Sequence, residues 1–264
     1  MSAMLPPAAA EPDPPPFRRV QGREDARVLV ICDHASAAIP ARYADLGLCG
    51  ETRWAHVVWD IGAAAVALGL AERLGCPAVL SGVSRLVIDC NRKPGDPASI
   101  PVSSCGVPVP GNAGLSDAEA DARAEAWFWP YHREIGAAIG RLRRNAAAPA
   151  IVSVHSFTPV MRGYRRPWHV GVLWNRDPRM AMPAIERLSD RSGMVVGDNQ
   201  PYSGREINYS LDTHAGSAGL PHVSFEIRQD LLADAEGIGT WAGLLADTLT
   251  AVLADPRLHR AEVY

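Results

Sequence analysis

The sequence lacks any apolar run that approaches the ~20 residues of a membrane-spanning helix, which argues against a helical membrane protein. It also lacks an excess of basic charge: the formal net charge is -3, so there is no electrostatic basis for binding nucleic acid or an anionic membrane. The first residues, MSAMLPPAAAEPDPPP, have neither the basic leader nor the continuous apolar core of a secretory signal. We therefore expect a cytoplasmic protein that binds neither nucleic acid nor membrane.

The cysteines do not form a C-x-x-C pair, and they are five, an odd number. Cys32 and Cys90 lie in apolar stretches that are predicted strands, which suits buried thiols in a reducing compartment better than a disulfide framework. A thiol amidase that pairs one of these cysteines with a histidine is an alternative. Apolar burial argues against it, because burial raises the pKa of a thiol and leaves it unreactive.

The composition is that of an ordinary globular protein, with 47% hydrophobic and 21% charged residues. A chain of 264 residues lies within the range that α/β folds reach as one domain. Residues 1–22 are rich in proline and alanine and predict a disordered tail. We expect residues 23–264 to form a single α/β domain.

Short apolar stretches typical of strands alternate along the chain with longer stretches typical of helices. The predicted strands are residues 28–32, 78–80, 84–92, 150–154, 168–174, 194–196 and 222–227. The predicted helices are residues 61–74, 116–144, 178–192 and 239–253. This alternation predicts a three-layer α/β/α sandwich around a mixed, largely parallel sheet.

Polar side chains end or interrupt three of the predicted strands. Asp33 and His34 follow the first, His155 follows residues 150–154, and Glu226 lies within an otherwise apolar strand. Ligands of α/β proteins bind at the carboxyl ends of parallel strands. Neutral imidazoles that hold a metal ion and a base that acts on its water are what a zinc hydrolase needs. The sequence therefore predicts a zinc hydrolase site.

Further candidate residues lie between these strands. Asp60 precedes the predicted helix 61–74, where it is either a helix cap or a third metal ligand. Arg85, Asn91 and Arg92 crowd one apolar stretch, although buried charge demands a partner. Asn91 and Arg92 are candidates for binding a substrate carboxylate, because a guanidinium offers bidentate geometry. A purely structural ion pair between Arg85 and Asp89 is the alternative.

Two irregular segments are candidate specificity elements: the proline-rich residues 93–115 and the arginine-rich residues 162–166. We expect the three arginines of residues 162–166 to be solvated, with one possible exception that meets the substrate. His214 lies in a polar stretch just before the strand that carries Glu226, and we expect it to orient substrate. The remaining histidines are expected to be structural.

Five ordered stretches, DHASAAIP, WDIGA, SRLVIDCNRKPGD, VSVHSFTP and GLPHVSFEIRQDLL, resemble the N-formylglutamate amidohydrolase family. They are spread over residues 28–232. The resemblance implies a fold similar to that of zinc carboxypeptidases and the deacylases of succinylglutamate and aspartate, a phosphorylase/hydrolase-like sandwich. It also implies zinc-dependent hydrolysis of the amide bond of a small-molecule N-acyl amino acid, most readily N-formylglutamate to glutamate and formate.

Carried over to this chain, the resemblance implies that His34 and His155 hold one zinc ion per chain and that Glu226 is the general base. Zinc, with Arg85 or Arg92, would stabilise the tetrahedral oxyanion.

The third zinc ligand departs from the pattern of the carboxypeptidase-like relatives, in which a glutamate follows the first histidine by three residues. That position is Ala37 here, so Asp33 or Asp60 takes the place. Neighbouring residues on an extended strand point to opposite faces, which favours Asp60. Asn91 and Arg92 resemble the pair that binds a terminal carboxylate in the same relatives.

Two other functions remain open. The same chemistry can act on a different N-acyl amino acid or a small peptide, because sequence does not give the shape of a pocket. A protein with this fold can also bind an amino acid without turnover. The sequence indicates no partner protein and no oligomeric state.

Overall fold

The computed structural model describes residues 12–264. The strands, in chain order, are β1 (Phe17–Val20), β2 (Val28–Cys32), β3 (Ala78–Ser81), β4 (Ser103–Ser104), β5 (Val107–Pro108), β6 (Ala150–Phe157), β7 (Val160–Met161), β8 (Tyr164–Arg165), β9 (Val170–Leu173), β10 (Val196–Asp198) and β11 (His222–Arg228). The α-helices are α1 (Ala63–Leu74), α2 (Asp117–Arg123), α3 (Trp129–Leu142), α4 (Ala181–Ser189), α5 (Tyr209–His214) and α6 (Ala235–Leu253). No helix within this part of the chain has the length and apolarity needed to cross a membrane.

A seven-stranded sheet forms the centre of the fold, in the order β1-β3-β2-β6-β11-β9-β10. Strand β2 runs parallel to β3 and β6, β6 runs parallel to β11, and β9 runs parallel to β10. Only the pairs β1/β3 and β11/β9 within this sheet are antiparallel. The carboxyl ends of β2, β6 and β11 therefore meet at one edge of the sheet, where α/β proteins bind ligands.

The helices cover the sheet on both faces and complete the predicted α/β/α sandwich. Helix α1 packs on β2 and β6 and contacts α6, which in turn contacts α4. Helix α3 packs on β2 and β3 and contacts α5. The largest apolar cluster fills the space between the sheet and these helices, since every residue of β2, β3, β6 and β9 is buried.

The prediction of a disordered tail over residues 1–22 is wrong for the last part of that range. Residues 17–20 form edge strand β1, which pairs with β3. Phe17 and Val20 at the ends of this strand are half-buried, whereas the two arginines between them are exposed. Backbone pairing with the neighbouring strand is available to such a segment despite its polar side chains. Residues 1–11 lie outside the described part of the chain.

The strand predicted for residues 84–92 is also wrong, because this stretch forms consecutive turns. The carbonyl of Ser84 accepts from the backbone N–H of Val87, and its hydroxyl accepts from the N–H of Leu86 and donates to the carbonyl of Val58. These bonds give the backbone of the turn partners without a neighbouring strand. The apolar residues of the stretch are buried in a second, smaller cluster that contains Trp127. Burial thus explains the apolar run without any strand.

The helix predicted to begin after Ser116 has the expected capping box, with Ser116 and Glu119 each bonding the other's backbone N–H. It contains one irregularity, a five-residue π turn, Ala124–Phe128, between α2 and α3. Pro130 lies two residues beyond this turn and has no N–H to donate to it, which accounts for the wider turn at this point.

Candidate active site

Three side chains converge at the carboxyl edge of the sheet: His34 after β2, Asp60 before α1 and His155 on β6. The Nδ1 atoms of His34 and His155 lie 3.2 Å and 2.8 Å from the same oxygen, Oδ2 of Asp60. One donor atom from each residue lies within 4.8 Å of the other two, and all three side chains are buried. These three residues could hold a metal ion, because imidazole nitrogens and a carboxylate oxygen are ordinary ligands of a divalent cation. We call His34, Asp60 and His155 the metal group.

A second carboxylate lies behind each imidazole. Nε2 of His34 is 2.7 Å from Oδ1 of Asp89, and Nε2 of His155 is 3.1 Å from Oδ2 of Asp33. A carboxylate that accepts one ring N–H fixes the tautomer and leaves the other nitrogen free as a ligand. Both rings are therefore oriented with Nδ1 towards Asp60, and Asp33 lies on the far side of His155 from that point.

Asp33 belongs to a buried hydrogen-bond network. Tyr131 on α3 donates its hydroxyl to Oδ1 at 3.0 Å, and Ser210 on α5 donates to the same oxygen at 2.5 Å. Burial alone disfavours the charged carboxylate, but the hydrogen bond and charge of His155 outweigh it and lower the pKa of Asp33 to about 2. Asp33 is thus an ionised acceptor held by partners from two helices.

Arg85 bridges the two carboxylates on the His34 side. Its Nη2 lies 2.9 Å from Asp89 and its Nη1 lies 3.4 Å from Asp60. Burial disfavours its charge, but Asp89 and Asp60 outweigh burial and raise the pKa of the guanidinium. The ion pair with Asp89 is the structural pair that the sequence left open for this stretch, and Arg85 also faces the cavity described below.

Glu226 lies on β11 directly opposite His155 in the parallel pairing with β6. Its side chain is buried, and Oε2 has no hydrogen-bond partner among residues 12–264. Burial is the main cause that raises the pKa of Glu226 to about 7. A buried carboxyl oxygen without a partner is costly, so its position beside the cavity points to a role with a ligand.

The charges around this point favour a cation. Four acidic side chains, those of Asp33, Asp60, Asp89 and Glu226, surround the two imidazoles, with Arg85 as the fixed positive charge between Asp60 and Asp89. The same negative surroundings raise the pKa of both histidines against the effect of burial. A divalent cation bound at the two Nδ1 atoms and Asp60 would neutralise this excess, so the residues fit a metal ion.

One cavity of about 360 Å³ is lined by the three candidate metal ligands, Arg85 and Glu226. The lining residues include His34, His56, Asp60, Arg85, Asn91, Arg92, Ser104, Cys105, His155, Phe157, Met161, Leu173, Tyr202, Ile207, Glu226 and Gln229. Two short hairpins contribute to the wall: β4/β5, in the proline-rich segment 93–115, through Ser104, and β7/β8 through Met161. The proline-rich segment therefore reaches the cavity, whereas the arginine-rich residues 162–166 do not line it.

Most of the predicted site residues come together here, and one does not. Asn91 and Arg92 line the cavity along with the metal group, Arg85 and Glu226. His214 is absent from the lining; its Nε2 lies 2.8 Å from Nδ1 of His132, away from the cavity. The prediction that His214 orients substrate is therefore not supported, because its ring packs in a histidine pair between α5 and α3.

Several residues of the site have no obvious signal in the sequence. Asp89 appears there only as a candidate ion-pair partner, and its contact with His34 depends on a turn that the strand prediction missed. Tyr202 lies in a loop after β10, and His56 in an irregular stretch before Asp60. The sequence NQPYSG, residues 199–204, indicates a loop around Tyr202 but does not show that this loop reaches the cavity.

The thiol alternative finds no support. Cys32 and Cys90 are buried, and neither lines the cavity. Burial, followed by the charges of nearby aspartates, raises the pKa of both thiols well above the ordinary value. Such thiols stay protonated and unreactive.

Comparison with known proteins agrees with this picture. The model of the N-formylglutamate amidohydrolase family matches residues 26–233. A gene product of Agrobacterium tumefaciens, known from its crystal structure, is 34% identical, with a TM-score of 0.85 over 91% of this chain and 96% of that one. The N-formylglutamate amidohydrolase from Ralstonia eutropha JMP134 has the same fold at 18% identity, with a TM-score of 0.65 over 92% of this chain and 98% of that one. Among curated proteins, none matches.

Proposed function

The chain belongs to the N-formylglutamate amidohydrolase family, and from this premise we propose that it is a zinc-dependent hydrolase of N-acyl amino acids. One observation carries the proposal: His34, Asp60 and His155 present three ligand atoms to the cavity that Glu226 also faces. A metal ion and a base acting on one amide are the parts that this reaction needs.

Zinc suits these ligands better than the harder cations do. Calcium and magnesium prefer shells made of oxygen atoms, whereas two of the three donors here are imidazole nitrogens. His34, Asp60 and His155 would hold the ion as three protein ligands, and a further position would remain for water or substrate. A bound zinc ion supplies Lewis acidity, which polarises a carbonyl and lowers the pKa of water to ~7.

Glu226 acts as general base and then as general acid. Its unpartnered Oε2 accepts a proton from the attacking water. The water oxygen bonds to the amide carbon, and the carbon–nitrogen bond then breaks. The same proton passes from Glu226 to the departing nitrogen, which leaves as the free amine of the amino acid.

Arg85 lies beside the reacting centre and contributes positive charge. Its guanidinium is held by Asp60 and Asp89 and lines the cavity, so it needs little rearrangement to face the charge that develops on the carbonyl oxygen. Removal of Arg85 also leaves two buried carboxylates without their cation. It is therefore a poor residue for a first experiment.

Asn91 and Arg92 bind the carboxylate of the amino acid. Asn91 lines the cavity, and its Oδ1 accepts from the backbone N–H of Ser210, which leaves the side-chain NH₂ as the donor for a carboxylate. Arg92 donates Nη1 to the carbonyl of Asn91 and has further donors for a substrate. N-formylglutamate is the substrate we favour, with glutamate and formate as products.

A second substrate class has one observation in its favour. Phe157, Met161 and Leu173 line the cavity and make part of its wall apolar. Such a wall suits an acyl group larger than formyl, or a small peptide, by the same chemistry. A comparison of kcat/KM for N-formylglutamate and N-acylglutamates of increasing acyl length decides between the two.

The test is to measure zinc content and formate release in the wild type, His155→Ala and Glu226→Gln. About one zinc per wild-type chain with turnover is the expected result. His155→Ala should lose both zinc and turnover, whereas Glu226→Gln should keep zinc and lose turnover by about 10³-fold or more. Zinc-loaded wild type that binds an amino acid but releases no product from any N-acyl derivative would contradict the proposal and favour a binding protein.

A further inference from the structure

Tyr202 is carried by a loop, residues 199–204, that packs on the sheet beside the catalytic strand. The carbonyl oxygen of Gln200 lies so close to Gly171 and Gly197 that a Cβ atom there would meet it at 2.0 Å and 2.6 Å. Gly171 is the residue of β9 that pairs with Glu226 on β11. The loop therefore crosses β9 next to Glu226 and delivers Tyr202 to the cavity wall two residues later.

The side chain of Asn199, the first residue of the loop, ties the two ends of the loop together. Oδ1 of Asn199 accepts from the backbone N–H groups of Trp174 and Gly204, at 3.1 Å and 2.9 Å. Gly204 in turn lies against the backbone of Trp174, where a Cβ atom would come within 2.7 Å. Both ends of the loop are thus attached to the end of β9, so Tyr202 is held on a rigid support.

Arg166 is the arginine of the segment 162–166 that is buried, with 6% of its surface exposed. Its Nη1 lies 3.1 Å from the hydroxyl oxygen of Tyr202, and its guanidinium stands over the Tyr202 ring at 5.0 Å. It also stands over the ring of Phe157 at 5.5 Å. Arg162 and Arg165 are exposed, so this is the exception among the three arginines.

This contact determines what the Tyr202 hydroxyl can do. Arginine only donates, so the Tyr202 oxygen accepts that bond and its own proton points elsewhere. Among the described residues no acceptor bonds that proton. Tyr202 lines the cavity that His34, Asp60, His155 and Glu226 share, so we take its free donor to be available to a bound molecule. The positive charge behind the oxygen makes it a stronger donor.

We propose that Tyr202 is a catalytic residue whose hydroxyl donates a hydrogen bond to the carbonyl oxygen of the scissile amide as negative charge develops there. Arg166 is a positioning residue that acts through Tyr202. The inference rests on the proposed amide hydrolysis, and it assigns two residues to the same reaction. No proton is transferred: the Tyr202 O–H bond stays intact and only its hydrogen bond strengthens.

The other cavity residues favour this acceptor over a substrate carboxylate. Asn91 and Arg92 line the same cavity and are proposed to bind the carboxylate, so the Tyr202 donor is left for the amide carbonyl. Burial, followed by the charge of Glu226, raises the pKa of Tyr202, so its hydroxyl stays protonated and able to donate.

The test compares steady-state kinetics of zinc-loaded wild type, Tyr202→Phe, Arg166→Met and the double variant with N-formylglutamate. Tyr202→Phe should lower kcat by about 100-fold and change KM by less than about threefold. Arg166→Met should lower kcat less than Tyr202→Phe does. In the double variant it should lower kcat by less than about a further twofold relative to Tyr202→Phe, because its effect passes through the hydroxyl. Tyr164→Phe and Arg165→Met, on the exposed hairpin β7/β8, are the matched controls.

A binding measurement keeps the inference independent of turnover. The probe is a phosphonamidate of glutamate, in which a tetrahedral phosphorus replaces the formyl carbon. Calorimetry should show it bound about 100-fold more weakly by Tyr202→Phe, with the affinity for glutamate unchanged.

Each outcome is decisive. If the wild type turns over substrate and Tyr202→Phe has unchanged kinetics, this inference alone is overturned. The same holds if Tyr202→Phe raises KM and leaves kcat unchanged. Wild type that turns over no N-acyl amino acid, but binds the probe more tightly than Tyr202→Phe does, overturns the proposed function and leaves the contact standing. Wild type that does neither overturns both.

Discussion

Asp33 and His155 form a buried contact in which Oδ2 of the carboxylate lies 3.1 Å from Nε2 of the ring. The other nitrogen of that ring, Nδ1, lies 2.8 Å from Asp60. The two aspartates thus occupy opposite sides of one imidazole. Only Asp60 also approaches Nδ1 of His34, which gives the two carboxylates different roles.

We expect Asp33→Asn to weaken zinc binding by about 10- to 100-fold, because the amide orients the His155 ring less firmly than a carboxylate does. Asp60→Asn should weaken it much further, because a ligand atom is lost. The measurement is a competition titration with a chromogenic chelator. Asp247→Asn, at an exposed position of α6, is the control and should bind zinc as the wild type does. Equal losses in the Asp33 and Asp60 variants would mean that Asp33 is itself a ligand.

A second prediction concerns the support of the Tyr202 loop. Gly171→Ala places a Cβ atom 2.0 Å from the backbone oxygen of Gln200, so the loop must move. We expect kcat/KM for N-formylglutamate to fall by about tenfold or more, because a small displacement of a donor is costly in catalysis.

The matched control for this substitution is Gly136→Ala in the middle of α3, where nothing lies within 4 Å of the added atom. Alanine should stabilise the helix there by about 0.5–1 kcal/mol and leave activity unchanged. Urea unfolding of both variants separates loop displacement from loss of fold. Unchanged kinetics in a folded Gly171→Ala would show that the loop position does not matter.

The sequence predicted the sandwich and the metal group because both depend on local patterns. His34 and His155 each follow an apolar run that is typical of a central strand, and parallel strands bring their carboxyl ends together. Glu226 stands out as a carboxylate in an apolar strand. Strand alternation also favoured Asp60 over Asp33, and the structure places the two on different sides of His155.

The parts that could not be predicted depend on contacts distant in sequence. Asp89 meets His34 across 55 residues, and only after residues 84–92 fold as turns rather than a strand. Tyr202 reaches the cavity because Gly171 and Gly197, in two other strands, leave room for its loop. His214 precedes the Glu226 strand in sequence, but α5 turns its ring towards His132.

The histidine pair predicts a pH dependence of stability. Nε2 of His132 lies 2.9 Å from the carbonyl of Cys90, which makes it the donor there and leaves Nδ1 to accept from His214. Burial, followed by the charge of His132, lowers the pKa of His214 to about 4. A base with a lowered pKa in the folded state binds fewer protons than in the unfolded state, so stability falls as pH falls from about 6.5 towards 4.

We expect His214 to contribute a loss of about 2 kcal/mol in the free energy of unfolding between pH 7 and pH 5. His214→Gln keeps a donor for His132 and removes the titrating ring, so it should lose less stability over this interval. Urea unfolding at both pH values gives the comparison. The difference between the two proteins removes the contribution of other titrating groups, and equal slopes would contradict the assignment.

The last prediction concerns Arg92, whose guanidinium lines the cavity and makes no ion pair with an acidic side chain of residues 12–264. If it binds the substrate carboxylate, Arg92→Ala removes a charge-assisted hydrogen bond worth about 1.5–3 kcal/mol. KM for N-formylglutamate should then rise by about 10- to 100-fold, with kcat within about threefold, because the contact is the same in ground state and transition state. Arg165→Ala, at an exposed position of β8, should leave both constants unchanged.

A change in the substrate separates this role from a general effect on charge. The α-amide of N-formylglutamate lacks the carboxylate that Arg92 is proposed to bind, so wild type and Arg92→Ala should handle it almost equally. Arg92→Lys should restore only part of the affinity, because an ammonium cannot make the bidentate contact. A variant that loses kcat and keeps KM would instead place Arg92 at the reacting carbonyl, and the carboxylate would then have to be bound elsewhere in the cavity.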